Sequence, residues 1–389
     1  MNDYHPIGGK LFTKPFNLFA LFALIGIILV AYRFIFGIGA ASNLNDGYPW
    51  GIWIVMDVVV STGFGCAGYA LALTVYIMNR GEYHPLVRPA LLAGLFGYTL
   101  AGISVMVDLG RYWLFYNLLL PWYMQPNSVM FEVAVCVMAY TAVTWIEFTP
   151  AFLERFGLHR VREKLSKLLF IFIAIGILLP TMHQSSLGTM AILWGHKLSP
   201  LWQTQLLPVL FLLSAILMGS ALVPFEGNFA SLGFNRPAET NLYGKLSRYV
   251  VLLLGFFITL RLVDLTLRGA WGYAFEHTLN ALMFWIEMAL YIVPFIFMLK
   301  PDNRSSRQMI FILSICLLLA GTLYRLNTYL IGYNPGPDWS YFPSIAELLI
   351  TIGMFSLEIV LYLIFVKRLP VLHRVEATSP QQLVTDESN

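Results

Sequence analysis

The chain has 389 residues, of which 58% are hydrophobic, 15% aromatic and only 12% charged, with a formal net charge of +3. A mean hydropathy of +0.71 excludes a water-soluble globular domain and marks an integral membrane protein. The small positive charge is spread over short loops instead of gathered in a patch, so the lipid bilayer is the implied partner and nucleic acid is not.

Apolar windows of about 20 residues give ten spans along the chain. They fall at 16–38, 52–78, 89–110, 128–148, 167–191, 203–224, 247–268, 278–299, 307–331 and 345–367. The basic N-terminus followed by 16–38 has the outline of a signal peptide, with Ala40-Ala41-Ser42 as its cleavage site. Its apolar run is longer than a signal core, so it counts as the first span. Lys10 and Lys14, the even-numbered loops (Arg80 and Arg88; Arg155 to Lys167; Arg236, Lys245 and Arg248; Lys300, Arg304 and Arg307) and Lys367, Arg368 and Arg374 hold most of the basic residues. The opposite loops hold only Arg111, Lys197 and Arg268, which places both termini in the cytoplasm. The expected fold is an all-α integral membrane protein, a single polytopic domain over 1–375 followed by a disordered cytoplasmic tail, 376–389.

The outer loops Asn43 to Trp53, Leu118 to Asn127 and Gly332 to Pro343 are rich in Trp, Tyr, Pro, Gly and Asn. They either cap helices at the interface or form a docking surface for a partner. Asp108 in the third span corresponds to Asp264 in the seventh, and Glu132 in the fourth to Glu287 in the eighth. This faint echo suggests two four-helix bundles, spans two to five and six to nine, with flanking helices, although coincidence explains it as well.

The fourth span carries Glu132 near one end and Glu147 near the other. Helical geometry puts them roughly 22 Å apart with azimuths about 60° different, so one face carries an acid near each side of the bilayer. Such groups either reach the headgroups or mark a proton route. On the positive-inside orientation, Arg33, Asp57, Asp108, Arg111, Glu132, His183, Arg261, Asp264, Arg325 and Glu347 fall in the outer half. Glu147, Glu226 and Glu358 fall in the inner half, and Tyr98 and Glu287 near the middle. Asp108 with Arg111, and Arg261 with Asp264, have the i, i+3 spacing of ion pairs that neutralise each other on one helix. His183 follows Pro180, which breaks a helical hydrogen bond and suggests an interrupted segment lining a cavity. It is either a proton-active group or a satisfied core histidine.

Cys66, Cys136 and Cys316 lie inside apolar runs with no CxxC or CxxCH spacing, so the chain is expected to carry no iron-sulfur cluster. Of the seven histidines only His183 is clearly intramembrane, too few for a haem held by two axial histidines. No metal-ligand spacing is present, and a diffusible quinone is the remaining electron carrier suited to lipid.

Long motifs carry a resemblance: Tyr48-Pro49-Trp50-Gly51, Gly63-Phe64-Gly65-Cys66, Asn79-Arg80-Gly81, Tyr83-His84-Pro85-Leu86-Val87-Arg88-Pro89, Asp108-Leu109-Gly110-Arg111-Tyr112-Trp113, Leu179-Pro180-Thr181-Met182-His183-Gln184-Ser185-Ser186 and Tyr341-Phe342-Pro343. Over nearly its whole length the chain resembles the Hyb-type membrane subunits of periplasm-facing nickel-iron uptake hydrogenases, within the broader NrfD-like family of polysulfide-reductase and nitrite-reductase membrane subunits. The resemblance implies a haem-free, quinone-interacting subunit of the bacterial inner membrane. Its partners would be a periplasmic ferredoxin-like iron-sulfur subunit and the hydrogenase small and large subunits. Carried to matching positions, Tyr98, Glu132, His183 and Glu226 resemble the family's proton-transfer residues, and Asp57, Asp108 and Arg111 resemble quinone-pocket residues. Glu147 joins the proton-transfer group from its place on the fourth span, and Arg261 and Asp264 join the pocket candidates from depth alone.

The expected function is reduction of menaquinone or ubiquinone near the outer face. Protons would arrive from the cytoplasm through Glu226 and Glu147, with Tyr98 midway and Glu132 and His183 as the last donors. A secondary ion or solute transporter and a passive membrane anchor are the competing readings.

Overall fold

A computed structural model of the chain describes residues 4–373. The tail 376–389 lies outside the described residues. Among these, ten helices are long and apolar enough to cross a membrane. They are α1 (Lys14–Phe36), α2 (Trp53–Ile77), α3 (Gly81–Asp108), α4 (Val129–Arg155), α5 (Leu169–Ile192), α6 (Leu207–Phe234), α7 (Thr240–Leu267), α8 (Leu279–Leu299), α9 (Arg307–Ile331) and α10 (Ile345–Arg368).

The helices overrun the apolar windows where polar end turns continue the backbone pattern. α3 starts eight residues before the expected 89, α4 runs on to Arg155 and α6 on to Phe234. Hydropathy marks the lipid-thick core of a helix and is blind to its polar ends. One consequence is that Glu226 sits inside α6, two turns from its end. Another is that α3 ends at Asp108, with Leu109 extended, so Arg111 lies beyond the helix.

α2 is the irregular member. It opens as a π-helix over Trp53–Val60, breaks at Gly65 and Cys66, and closes as a π-helix over Leu73–Ile77. Wide turns of this kind turn main-chain carbonyls out of the helical ladder, where other side chains can reach them. α5 runs unbroken through Pro180, in contrast to the interruption its sequence suggests.

α2 to α5 are mutual neighbours in sequence order, and so are α6 to α9. The two sets are not separate bodies: α2 packs on both α6 and α9, and α5 packs on α6. α1 and α10 form a pair laid against α2 and α3. A Cβ placed on Gly26 would come within 2.7 Å of the Gly353 Cα, so these two helices touch backbone to backbone. Without water to drive association, close packing of small residues is what holds lipid-facing helices together.

A two-residue antiparallel pair, β1 (Tyr4–His5) with β2 (Leu372–His373), ties both ends of the described chain on one face, called here the terminal face. On the opposite face the loops after α1 and before α10 interlock. Asn43 and Asn45 donate to the carbonyls of Phe342 and Ser340, at 3.0 and 2.9 Å. Glu347 accepts from the Asn43 and Ser344 amides and from the Tyr341 hydroxyl at 2.7–2.9 Å. The segment Tyr112–Leu119 and the turn after it expose Trp113, Phe115, Leu119, Trp122 and Tyr123 on the same face.

Candidate functional site

A buried polar cluster lies where α2, α3, α5 and α9 meet. Arg325 of α9 is fully buried among the described residues with no carboxylate in ion-pair range. Its guanidinium donates to the Val59 carbonyl at 2.6 Å and to Gln184 Oε1 at 2.8 Å, and lies 5.2 Å from the Phe211 ring centroid. Val59 belongs to the π-helical stretch, so the irregular backbone supplies an acceptor that a regular helix would keep for itself. The Gly63-Phe64-Gly65-Cys66 motif makes the room. A Cβ on Gly63 would lie 3.1 Å from the Arg325 Cζ, and one on Gly65 would lie 2.9 Å from the Tyr98 ring.

Gln184 spans the cluster, its Nε2 donating to Thr62 Oγ1 at 3.2 Å and to the Tyr98 hydroxyl at 3.3 Å. His183 Nε2 lies 3.3 Å from the same Thr62 hydroxyl, while its Nδ1 is buried with no hydrogen bond of good geometry among the described residues. The Tyr98 ring packs edge-on against Tyr140, at 4.4 Å between centroids, and against His183, at 5.6 Å.

α4 brings the rest of this line. Glu132, Cys136, Tyr140 and Glu147 recur at helical spacing, with Cys136 and Tyr140 buried. Glu132 stands half-buried in the first turn of α4, one residue from Val133, whose backbone lies against His183. Glu147 packs on Gly176 of α5, where an added Cβ would meet Glu147 Oε1 at 2.5 Å. Pro180 has no amide hydrogen, so the Gly176 carbonyl is the one it leaves without a helical donor. Glu147 Oε1 is itself buried without a partner.

Glu226 lies on a different set of helices from Glu147. It accepts from the Tyr362 hydroxyl of α10 and lines a cleft on the terminal face with Tyr243, Arg236, Glu239 and His373. Asp57 of α2 is buried, with Ser104 Oγ 3.4 Å from its Oδ2 and no partner on Oδ1.

The expected i, i+3 pairs do not form. Arg261 faces Glu287 of α8 at 3.7 Å, and Glu287 also accepts from Trp202 Nε1 and Asn327 Nδ2 at 2.8 and 2.7 Å. Asp264 binds Arg268 at 2.7 Å and accepts from Thr204 at 2.6 Å. Arg111 is exposed and beyond the end of α3, whereas Asp108 is within electrostatic reach of Arg33, whose Nη2 donates to the Leu109 carbonyl at 2.5 Å. Tertiary neighbours outcompeted the i, i+3 spacing at Asp108 and Arg261, whereas Asp264 paired at i, i+4 with Arg268 at the end of its own helix. Glu132 and Glu287, matched by the sequence echo, have unlike surroundings: one half-buried at a helix start, the other fully enclosed and triply contacted.

Among the described residues His183 is the one buried histidine, and it already engages Thr62, so a two-histidine haem site finds no second ligand. No group of three or more His, Cys, Asp or Glu among them could hold a metal ion.

Fold and site define a class: a multi-pass α-helical membrane protein whose core is crossed by unpaired acids, tyrosines and a desolvated arginine. The chain belongs to the NrfD polysulphide reductase family, whose pattern it matches over residues 40–334. It is 43% identical over 374 residues, 95% of each chain, to the probable Ni/Fe-hydrogenase 2 b-type cytochrome subunit of Escherichia coli strain K12. It is 30% identical over 180 residues, 43% of this chain and 41% of the other, to the menaquinone reductase integral membrane subunit of Nitratidesulfovibrio vulgaris. With a selenate reductase subunit of Mesobacillus selenatarsenatis it shares 22% identity over 410 residues, 92% and 94% of the two chains.

Proposed function

We propose that this protein is the quinone-reducing membrane subunit of a nickel-iron hydrogenase in a bacterial inner membrane, with the terminal face in the cytoplasm. The names of its relatives, a hydrogenase 2 subunit and a menaquinone reductase subunit, support this reading. So does the concentration of Lys and Arg on the terminal face. Electrons would come from a periplasmic ferredoxin-like iron-sulfur subunit fed by the hydrogenase small and large subunits. The exposed aromatic surface around Trp113 and Trp122 is a suitable docking area on that side.

The observation that carries the proposal is the line Glu147, Tyr140, Tyr98, Gln184, His183, which in the proposed orientation would run from the inner half of the bilayer toward Glu132. Converting a quinone to a quinol takes two electrons and two protons. Electrons arriving from outside with protons arriving from inside make that step electrogenic, and a charge crossing the membrane is worth about 2.3 kcal/mol per 100 mV. In this scheme the carboxyl O–H of Glu132 breaks and its proton forms the quinol O–H as the electrons arrive, leaving a carboxylate that takes a proton back through His183 and Tyr98 from the Glu147 end of the line. In this reading Asp57, Asp108 and Arg33 line the quinone pocket from α2, α3 and α1, which their burial and the nearness of Arg33 to Asp108 support.

The test is hydrogen-driven quinone reduction in membranes carrying Glu132→Gln, with hydrogen oxidation by a soluble dye as the control that bypasses this subunit. Loss of quinone reduction with dye reduction and assembly intact is the expected result. Unchanged quinone reduction removes Glu132 from the mechanism and favours a passive anchor.

A further inference from the structure

Glu358 of α10 has no role in the scheme above, and its setting demands one. It is partly buried at mid-helix, and no side chain or backbone group among the described residues hydrogen-bonds its carboxyl. An acid at this depth is costly, and here no ion pair or cap offsets the cost. Its carboxyl lies against α3 at Gly97, where a Cβ would stand 3.6 Å from Glu358 Oε1, an ordinary contact distance.

Its neighbours point in two directions. Toward the terminal face stands Glu226, close enough to act on Glu358 electrostatically, with Tyr362 donating to Glu226 and the cleft beyond. Toward the other face stands Asp57, likewise within electrostatic reach of Glu358, with its bare Oδ1 and with Ser104 and Thr351 beside it. On α10, Thr351, Glu358 and Tyr362 share one face, with azimuths within about 40° and about 16 Å of axial rise between the first and the last. This stripe is separate from the line through Glu147, Tyr140 and Tyr98, which uses α3, α4 and α5.

We propose that Glu358 is a proton-relay residue joining Glu226, at the cytoplasmic cleft, to Asp57 at the inner border of the quinone region. A proton leaves the Glu226 side as its O–H breaks, forms an O–H on the Glu358 carboxylate, and passes in the same way to Asp57, with water bridging the gaps between carboxyls. No electron moves in either step. The inference rests on the proposed quinone-reducing function and adds a second inner-half route to it, each route delivering one of the two protons that quinol formation takes, so that loss of either stalls the reaction.

The experiment compares Glu358→Gln and Glu358→Asp in the intact complex reconstituted in liposomes, reading hydrogen-driven quinone reduction and proton uptake on the cytoplasmic side. E358Q keeps the size and polarity but carries no exchangeable carboxyl proton, so both readouts are expected to fall at least about tenfold, while E358D restores them. Dye reduction stays at the wild-type rate in both. A wild-type rate in E358Q overturns the relay, and so does equal loss in both variants with full assembly, which marks a structural role. Failure of the wild-type complex to take up cytoplasmic protons would sink the proposed function itself and is read separately. Should E358Q not assemble, dicyclohexylcarbodiimide, which attacks protonated carboxyls in apolar surroundings, supplies the test on the wild type. Labelling at Glu358 with arrest of quinone reduction supports the relay, and sustained reduction with Glu358 labelled contradicts it.

Discussion

Replacing Gln184 by leucine removes the side chain that joins Arg325, Thr62 and Tyr98. Three hydrogen bonds go: one from the guanidinium at 2.8 Å and two from the amide nitrogen at 3.2 and 3.3 Å. Bonds to a charged group contribute about 1.5–3 kcal/mol and neutral ones about 0.5–1.5 kcal/mol each, so the loss is about 2.5–6 kcal/mol. The upper part of that range applies because Arg325 and Tyr98 are fully buried and no water is at hand to replace the lost partner. Gln184→Glu should behave differently. A carboxylate accepts from Arg325 as before, and the Thr62 and Tyr98 hydroxyls can turn to donate to it. The assay is the thermal inactivation midpoint of the detergent-solubilised complex, together with its quinone-reduction rate. Q184L should lower the midpoint strongly and Q184E only slightly. Equal midpoints for the two variants, or a wild-type midpoint in Q184L, would refute the bridging role.

Three further outcomes follow from the same geometry. A Cβ at Gly219 would lie 2.4 Å from the Cys66 carbonyl oxygen, so Gly219→Ala must push α6 from α2 at a cost of about 1–3 kcal/mol, whereas Gly233→Ala meets nothing within 4 Å and should leave thermal inactivation unchanged or slightly improved. Glu287→Gln leaves Arg261 buried without a counter-charge and should cost about 3–5 kcal/mol in the same assay, against about 1–3 kcal/mol for Arg268→Gln, where the buried Asp264 keeps its Thr204 hydrogen bond and the lost cation is itself partly exposed. At the terminal face, burial raises the Glu239 carboxyl above its ordinary value of 4.5, against the opposing pull of His373 and Arg236. Its contribution to stability is therefore present below 4.5 and lost as pH rises through the raised value, so Glu239→Gln should flatten the fall in thermal midpoint across that interval.

The spans were legible because lipid demands about 20 apolar residues per crossing, a requirement written plainly into composition. Their polar ends were not: the extra turns of α3, α4 and α6 look like loop to a hydropathy window. The sequence drew attention to Gly63-Phe64-Gly65-Cys66 and to His183-Gln184, yet what these motifs serve depends on Arg325, far along the chain and approached only in the folded state. An unpaired arginine in the middle of an apolar run was the available signal. Pairings on one helix were the least reliable inference. Arg261 turned to Glu287 on a neighbouring helix, about which spacing along α7 says nothing, and Asp264 took Arg268 one turn further along, at the end of α7, at i, i+4. Glu226 and Glu147, joined in one entrance by their depth, belong to different helix sets, which only packing could reveal.

The central claim, that protons for quinone reduction enter from the cytoplasmic side while electrons enter from the other, is tested most directly in liposomes holding the complex in known orientation. Hydrogen is supplied, a quinone is the acceptor, and pH is followed on each side with a trapped and an external indicator. Alkalinisation on the side of the termini, in step with quinol formation and slowed by an opposing membrane potential, is the expected result. Proton uptake confined to the hydrogenase side, with a rate indifferent to the potential, would contradict the account.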